Sequence, residues 1–199
     1  MALMAALHGP KGNGCRFQTY VQRKRFSARL FLEKTMNLSY PKVMTLPQLT
    51  AWLSPLHAAG KKIVFTNGCY DILHPGHVDL LERAKALGDI LVLGLNSDDS
   101  VRRQNKGPER PINTYAVRAF VLAHLASVDA VVPFEEDTPL ALIKAIQPDV
   151  LVKGGDWPIE KIVGRDVVLS RGGIVKSLPL LPGYSTTAIV KKLMGSAPQ

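Results

Sequence analysis

Residues 63–77 run Ile63-Val64-Phe65-Thr66-Asn67-Gly68-Cys69-Tyr70-Asp71-Ile72-Leu73-His74-Pro75-Gly76-His77, and the chain changes periodicity within them. Ile63–Thr66 is a continuous apolar run of strand length, the pattern of a strand buried on both faces. From Pro75 the spacing becomes helical: Leu80, Leu81, Ala84 and Leu87 share one side, and Gly88 stands where a C-terminal cap belongs. The stretch therefore predicts strand, loop and helix, with a histidine pair separated by Pro-Gly where the helix opens.

The same alternation repeats outward. Further strand-like runs occur at Ile90–Asn96, Ala130–Pro133, Val150–Lys153 and Ile174–Leu178. Helical patterns lie at Leu46–Ala58, Thr114–Leu125, Thr138–Ile146 and Ser185–Leu193. Thr138-Pro139 reads as a cap followed by proline at the first helical position. Strands alternating with helices through short connections predict one doubly wound α/β sheet over residues 41–199.

The chain of 199 residues is 46% hydrophobic and 21% charged, an ordinary globular composition that excludes intrinsic disorder of the whole. No apolar run reaches the 18 or so residues of a membrane helix. Two cysteines, Cys15 and Cys69, make neither a disulfide framework nor a zinc spacing, so a reducing, cytoplasmic setting is expected. The net charge of +9 is unevenly spread: residues 1–36 hold seven Lys/Arg against the single Glu33. Residues 1–40 accordingly read as a basic tail outside the core. A disordered arm, a targeting peptide, and sequence upstream of a start at Met36 or Met44 all fit it. With the excess charge there, the main domain gives no reason to expect nucleic-acid binding.

Polar clusters fall after the predicted strands: Asn67–His77 after the first, Asn96–Asp99 and the basic loop 102–107 after the second. Phe134–Asp137, Lys153–Trp157 and Gly183–Thr187 follow the others. In open α/β sheets ligands bind at these carboxyl ends, so the clusters are expected to meet in one crevice. Two imidazoles beside free N–H groups at a helix start suit an anion, and Gly76 lets a phosphate approach where a Cβ would collide. Ser185-Thr186-Thr187 offers hydroxyls and further N–H groups, although alone it is an ordinary N-cap. There is no Walker P-loop and no GxGxxG after the first strand. Glu135, Glu136 and Asp137 are read as capping the helix at Thr138 rather than binding metal, and Cys69 as a small buried loop residue without an activating partner.

His74-Pro75-Gly76-His77 after the first strand, with GYSTT at 183–187, resembles the cytidylyltransferase-like nucleotidyltransferases with their HxGH and STT signatures. NSDDSV (96–101), KGPERPI (106–112), FEEDTP (134–139) and LVKGGDW (151–157) are most similar to the heptose 1-phosphate adenylyltransferase domain of lipopolysaccharide core synthesis. The resemblance covers about residues 45–194. It implies a single Rossmann-like domain with a five-stranded parallel sheet. The implied reaction is transfer of AMP from ATP to D-glycero-D-manno-heptose 1-phosphate, giving ADP-heptose and pyrophosphate. His74, His77, Lys106, Ser185 and Thr186 are the implied catalytic residues. Thr66, Asn67, Gly68, Cys69, Tyr70, Gly76, Lys153, Gly154, Asp156 and Thr187 are the implied nucleotide-binding residues. Asp71, Asp98 and Arg118 are left between a sugar-phosphate role and structural support.

No protein metal site is expected; Mg²⁺ would arrive on the substrate phosphates. The sugar-kinase domain often fused to this one has no room in 199 residues, which leaves a separate heptose kinase and a homodimer as partners to consider. One departure stands out. The arginine that many cytidylyltransferases carry just before STT is replaced by Leu180-Leu181-Pro182-Gly183, against a glycerol- or choline-phosphate enzyme. A cytidylyltransferase on another phosphorylated small molecule and a non-catalytic nucleotide-binding regulator are the alternatives.

Overall fold

A computed structural model describes residues 40–193, apart from Lys106 and Asp156, together with Gly195. The expectations placed on residues 1–39, on Lys106 and on Asp156 lie outside the described residues.

Five strands, β1 (Ile63–Gly68), β2 (Ile90–Asn96), β3 (Ala130–Phe134), β4 (Val150–Gly154) and β5 (Ile174–Leu178), form one sheet in the order β3-β2-β1-β4-β5. All its strand pairs are parallel. Around the sheet are α1 (Leu46–Ala58), α2 (Pro75–Lys85), α3 (Asp98–Arg103), α4 (Tyr115–Ala123), α5 (Leu140–Ile146), α6 (Arg165–Leu169) and α7 (Thr186–Leu193), with a 3₁₀ turn at Ile159–Lys161. This is the doubly wound α/β architecture expected of the sequence.

Alternation along the strands divides the core in two. Ile63, Phe65, Val92, Ala130, Val132 and Leu151 face one way and pack with Leu49 and Leu53 of α1 and Leu142, Ile143 and Ile146 of α5. Val64, Leu91, Leu93, Leu95, Val131 and Val152 face the other way, onto Leu80, Leu81 and Ala84 of α2 and Ala119 and Leu122 of α4. Burial on both faces explains the unbroken apolar runs. Thr45 and Gln48 form a capping box at the start of α1. Ahead of it, Val43 bridges Val131 at the outer edge of β3, so residues 42–44 cover that edge.

Several local expectations are corrected. Gly88 is not a left-handed cap, since α2 ends at Ala86 in an ordinary helical conformation. Gly88 is small because a Cβ there would lie 2.7 Å from both the Lys62 carbonyl and Val64 Cγ2. Thr138 does not cap α5, which begins after Pro139 without a side-chain cap. The acids before it do not cap it either: Asp137 accepts from Arg103 Nε at 2.8 Å, and Ser100 donates to the Glu136 carbonyl. Arg102 and Arg103, expected in a loop, end the short helix α3, whose N-terminus is capped by Ser97.

Candidate active site

β1 and β4 are neighbours at the point where the strand order reverses. Their ladder pairs only Val64 with Val150 and Phe65 with Leu151. Beyond Phe65, β1 keeps pairing with β2 as far as Gly68, while β4 follows β5 to Gly154. The two central strands therefore part, and their carboxyl ends open a cavity of about 250 Å³ at the topological switch point.

One wall comes from the loop after β1 and the start of α2. Asn67, Gly68, Cys69 and Tyr70 line it, followed by His74, Gly76 and His77. His74 is the N-cap residue of α2, extended at φ −146°, and makes no side-chain cap bond, so no side chain of its own occupies the helix start. The imidazoles of His74 and His77 stack with centroids 3.7 Å apart and planes 18° from parallel. The Nδ1 atoms of both are buried without a hydrogen-bond partner. Burial, reinforced by the neighbouring His74, pulls the pKa of His77 down to about 4, and burial lowers that of His74 as well. Both rings are therefore neutral near pH 7. Gly76 faces the His74 ring, where a Cβ would lie 3.2 Å from Cε1 and Nδ1.

The opposite wall is built from β4, the loop after β5 and the start of α7. It brings in Lys153, Gly154, Ser185 and Thr186. Ser185 caps α7 by accepting from the Ala188 N–H at 3.0 Å, and the Thr186 hydroxyl donates to the Ile72 carbonyl at 3.4 Å, tying the two helix starts together. The ammonium of Lys153 lies 5.8 Å from the Trp157 ring centroid. Three cavity residues, Leu80, Leu180 and Tyr184, were absent from the sequence-based set. The apolar spacing of α2 spoke for Leu80 only as core. Tyr184 was within reach of the sequence, since it precedes Ser185 directly.

The remaining predicted residues among those described do not line the cavity. Thr66 is buried in β1 beneath it, and Thr187 is exposed on α7 without lining it. Asp71 is buried and accepts from Arg110 Nε and from the N–H groups of Ile112 (2.9 Å) and Asn113 (2.8 Å). Arg118, also buried, donates to the carbonyls of Cys69 (2.7 Å) and Asn113 (3.0 Å) and to Asp98 (2.7 Å). These two networks hold the loop after β1 from below. Cys69 itself donates its thiol to Gln104 Oε1 at 3.1 Å.

The cytidylyltransferase-like family model matches residues 65–192, from within β1 to within α7. The chain belongs to the cytidylyltransferase-like family. Curated relatives include the "Bifunctional protein HldE" of Citrifermentans bemidjiense, 51% identical over 155 residues, which are 78% of this chain and 32% of that protein. The protein of the same name from Ectopseudomonas mendocina is 55% identical over 151 residues, 76% of this chain and 32% of its own length. The chain thus spans about a third of the length of these relatives. Among solved structures, the lipopolysaccharide core biosynthesis protein of Thermoplasma volcanium is 27% identical with a TM-score of 0.50, covering 61% of this chain and 98% of that one. The pantoate-beta-alanine ligase of Francisella tularensis, 16% identical at a TM-score of 0.52 and covering 75% of this chain and 76% of that one, shares the fold. Among the described residues no helix is long and apolar enough to cross a membrane.

Proposed function

We propose that this domain is a nucleotidyltransferase that transfers AMP from ATP to D-glycero-D-manno-heptose 1-phosphate, releasing pyrophosphate and forming ADP-heptose. The observation that carries the reaction class is the stacked His74–His77 pair at an uncapped helix start, facing Ser185 and Thr186 across the crevice. The HldE relatives and the lipopolysaccharide-core title of the structural relative support the choice of substrate.

In this reaction an oxygen of the acceptor phosphate attacks the α-phosphorus of the nucleotide in line. The bond to the bridging oxygen breaks, and its electron pair leaves with pyrophosphate. The acceptor oxygen is already anionic, so positioning and charge stabilisation are the main demands and no strong base is required. Each neutral imidazole of the pair has one N–H to donate. That N–H donates to phosphate oxygens, and the bond strengthens as charge shifts onto them in the transition state. The start of α7 receives the departing pyrophosphate through hydroxyl and backbone N–H donors. Lys153 neutralises phosphate charge from the β4 side, and Lys106 does so from the loop before Arg110.

Mg²⁺, carried on the nucleotide phosphates, would neutralise part of their charge. The cavity lining among the described residues offers imidazole, ammonium and hydroxyl groups and no carboxylate, so those residues make no cage for it. Because the reaction draws on ATP, we place it in the cytoplasm. A heptose kinase acting before it and a homodimeric assembly belong to the same proposal.

Pyrophosphate release from ATP, CTP and GTP, each with heptose 1-phosphate and with glycerol 3-phosphate, tests the reading. Release confined to ATP with heptose 1-phosphate is expected. Release with CTP alone keeps the reaction and moves the substrate assignment, while silence in every combination from folded protein overturns the enzyme.

A further inference from the structure

The imidazole of His77 has two ring neighbours. Its Nδ1 is buried, and the Ile72 carbonyl is the one backbone group acting on the ring. His74 stacks on it at 3.7 Å, and Tyr70 meets it at a centroid distance of 5.0 Å, tilted by 59°. Tyr70 is buried, and its backbone takes φ +46°, a left-handed conformation that a bulky side chain rarely adopts. That conformation carries the phenol ring back over Gly68, where a Cβ would lie only 2.9 Å from Tyr70 Cε2. The backbone on either side is pinned. Arg118 holds the Cys69 carbonyl, and the Asp71 carboxylate is held by Arg110, Ile112 and Asn113.

We propose that Tyr70 is a positioning residue: seated over Gly68 by its left-handed backbone, its ring sets the orientation of the His77 imidazole and shields it from water. Gly68 shares the task by leaving the space that the ring fills. The catalytic consequence rests on the function proposed above, whereas the positioning itself is a property of the substrate-free protein. The ionisable groups around His77 are His74 on its own helix, Cys69 and Tyr70 from the loop after β1, Lys153 from β4 and Tyr184 from the loop before α7. Losing the Tyr70 ring removes shielding and leaves the other groups in place, so the proton affinity of His77 rises.

Histidine side-chain NMR titrations of the full-length, substrate-free protein test this in wild type, Tyr70→Phe, Tyr70→Leu and Gly68→Ala. Tyr70→Phe is expected to keep the wild-type curve of His77. Tyr70→Leu and Gly68→Ala are expected to move its midpoint up by about one unit. The same two variants should lower kcat about tenfold or more, with a smaller change in KM for the nucleotide. His57, bonded to the Ile146 carbonyl, and His124, stacked on Tyr40, report by unmoved signals that each variant is folded. An unchanged His77 signal and midpoint in both folded variants overturns the proposal. A shifted midpoint in a protein that turns over no nucleotide upholds the positioning and sinks the catalytic reading instead.

Discussion

Burial beside a second imidazole keeps His77 neutral, so it meets a bound phosphate as a hydrogen-bond donor rather than as a cation. In the proposed reaction that hydrogen bond is strongest at the transition state. His77→Ala is therefore expected to lower kcat by two orders of magnitude or more while nucleotide affinity changes far less, as steady-state kinetics beside direct nucleotide titration will show. The same depressed pKa acts on folding. The unfolded chain takes up this proton near 6.5 and the native protein only near 4. Stability is thus full above about 6.5 and falls as the pH drops through that window. Urea denaturation at pH 7 and pH 5 should show a loss of roughly 1–2 kcal/mol in wild type that is reduced in His77→Gln. Asp71 is fully engaged within the protein. Its carboxylate and the Arg110 guanidinium are both buried, so Asp71→Ala strands a buried cation and two backbone donors. Denaturation should report a loss of about 3–5 kcal/mol. The sequence left Asp71, Asp98 and Arg118 undecided because their partners lie far along the chain; Asp71 and Arg110 are 39 positions apart.

Elements were the most legible level. The predicted spans of α1, β2 and β5 agree with the structure to the residue. Of these, β2 is a central strand with an unbroken apolar run, and α1 carries an apolar helical pattern. Strand β5, although exposed along one edge, is bounded by Gly173 and Pro179. Short α3 and α6 left no such mark, being too brief to show a helical repeat. Also hidden was a recurrent device at the amino ends of the strands. Asp89, Asp129 and Asp149 each stand directly before a strand and accept backbone N–H groups from Lys62, Leu91 and Ile63. These acids keep the end of the sheet opposite the cavity satisfied. Gly88 sits beside this edge, pressed on the chain at Lys62–Val64. Gly88→Ala is expected to destabilise the fold by about 1–3 kcal/mol through overpacking, read as a lower denaturation midpoint, whereas a left-handed cap would have cost little in contacts.

At the scale of the molecule, the cavity exists because β1 and β4 part after two paired positions, each keeping its outer neighbour. Site segments between residues 67 and 186 meet there, at the carboxyl end of the sheet. The proposed reaction assigns no role to the basic segment at residues 1–36. Removing it should leave the rate of pyrophosphate release unchanged, whereas a nucleic-acid-binding regulator would lose a salt-sensitive affinity in the same comparison. Periodicity and local motifs determined by themselves the order of the five strands and of five of the seven described helices, the parallel sheet, and the placing of the histidine pair and the Ser-Thr pair at two helix starts. Local spacing encodes local backbone structure and the face each residue presents. Only the tertiary structure decided that Thr66 lies beneath the cavity, that Leu80, Leu180 and Tyr184 line it, and that Asp71 and Arg118 brace the loop. It also decided that Tyr70 packs against His77, because those contacts depend on where separate elements dock and on a left-handed turn that no periodicity records.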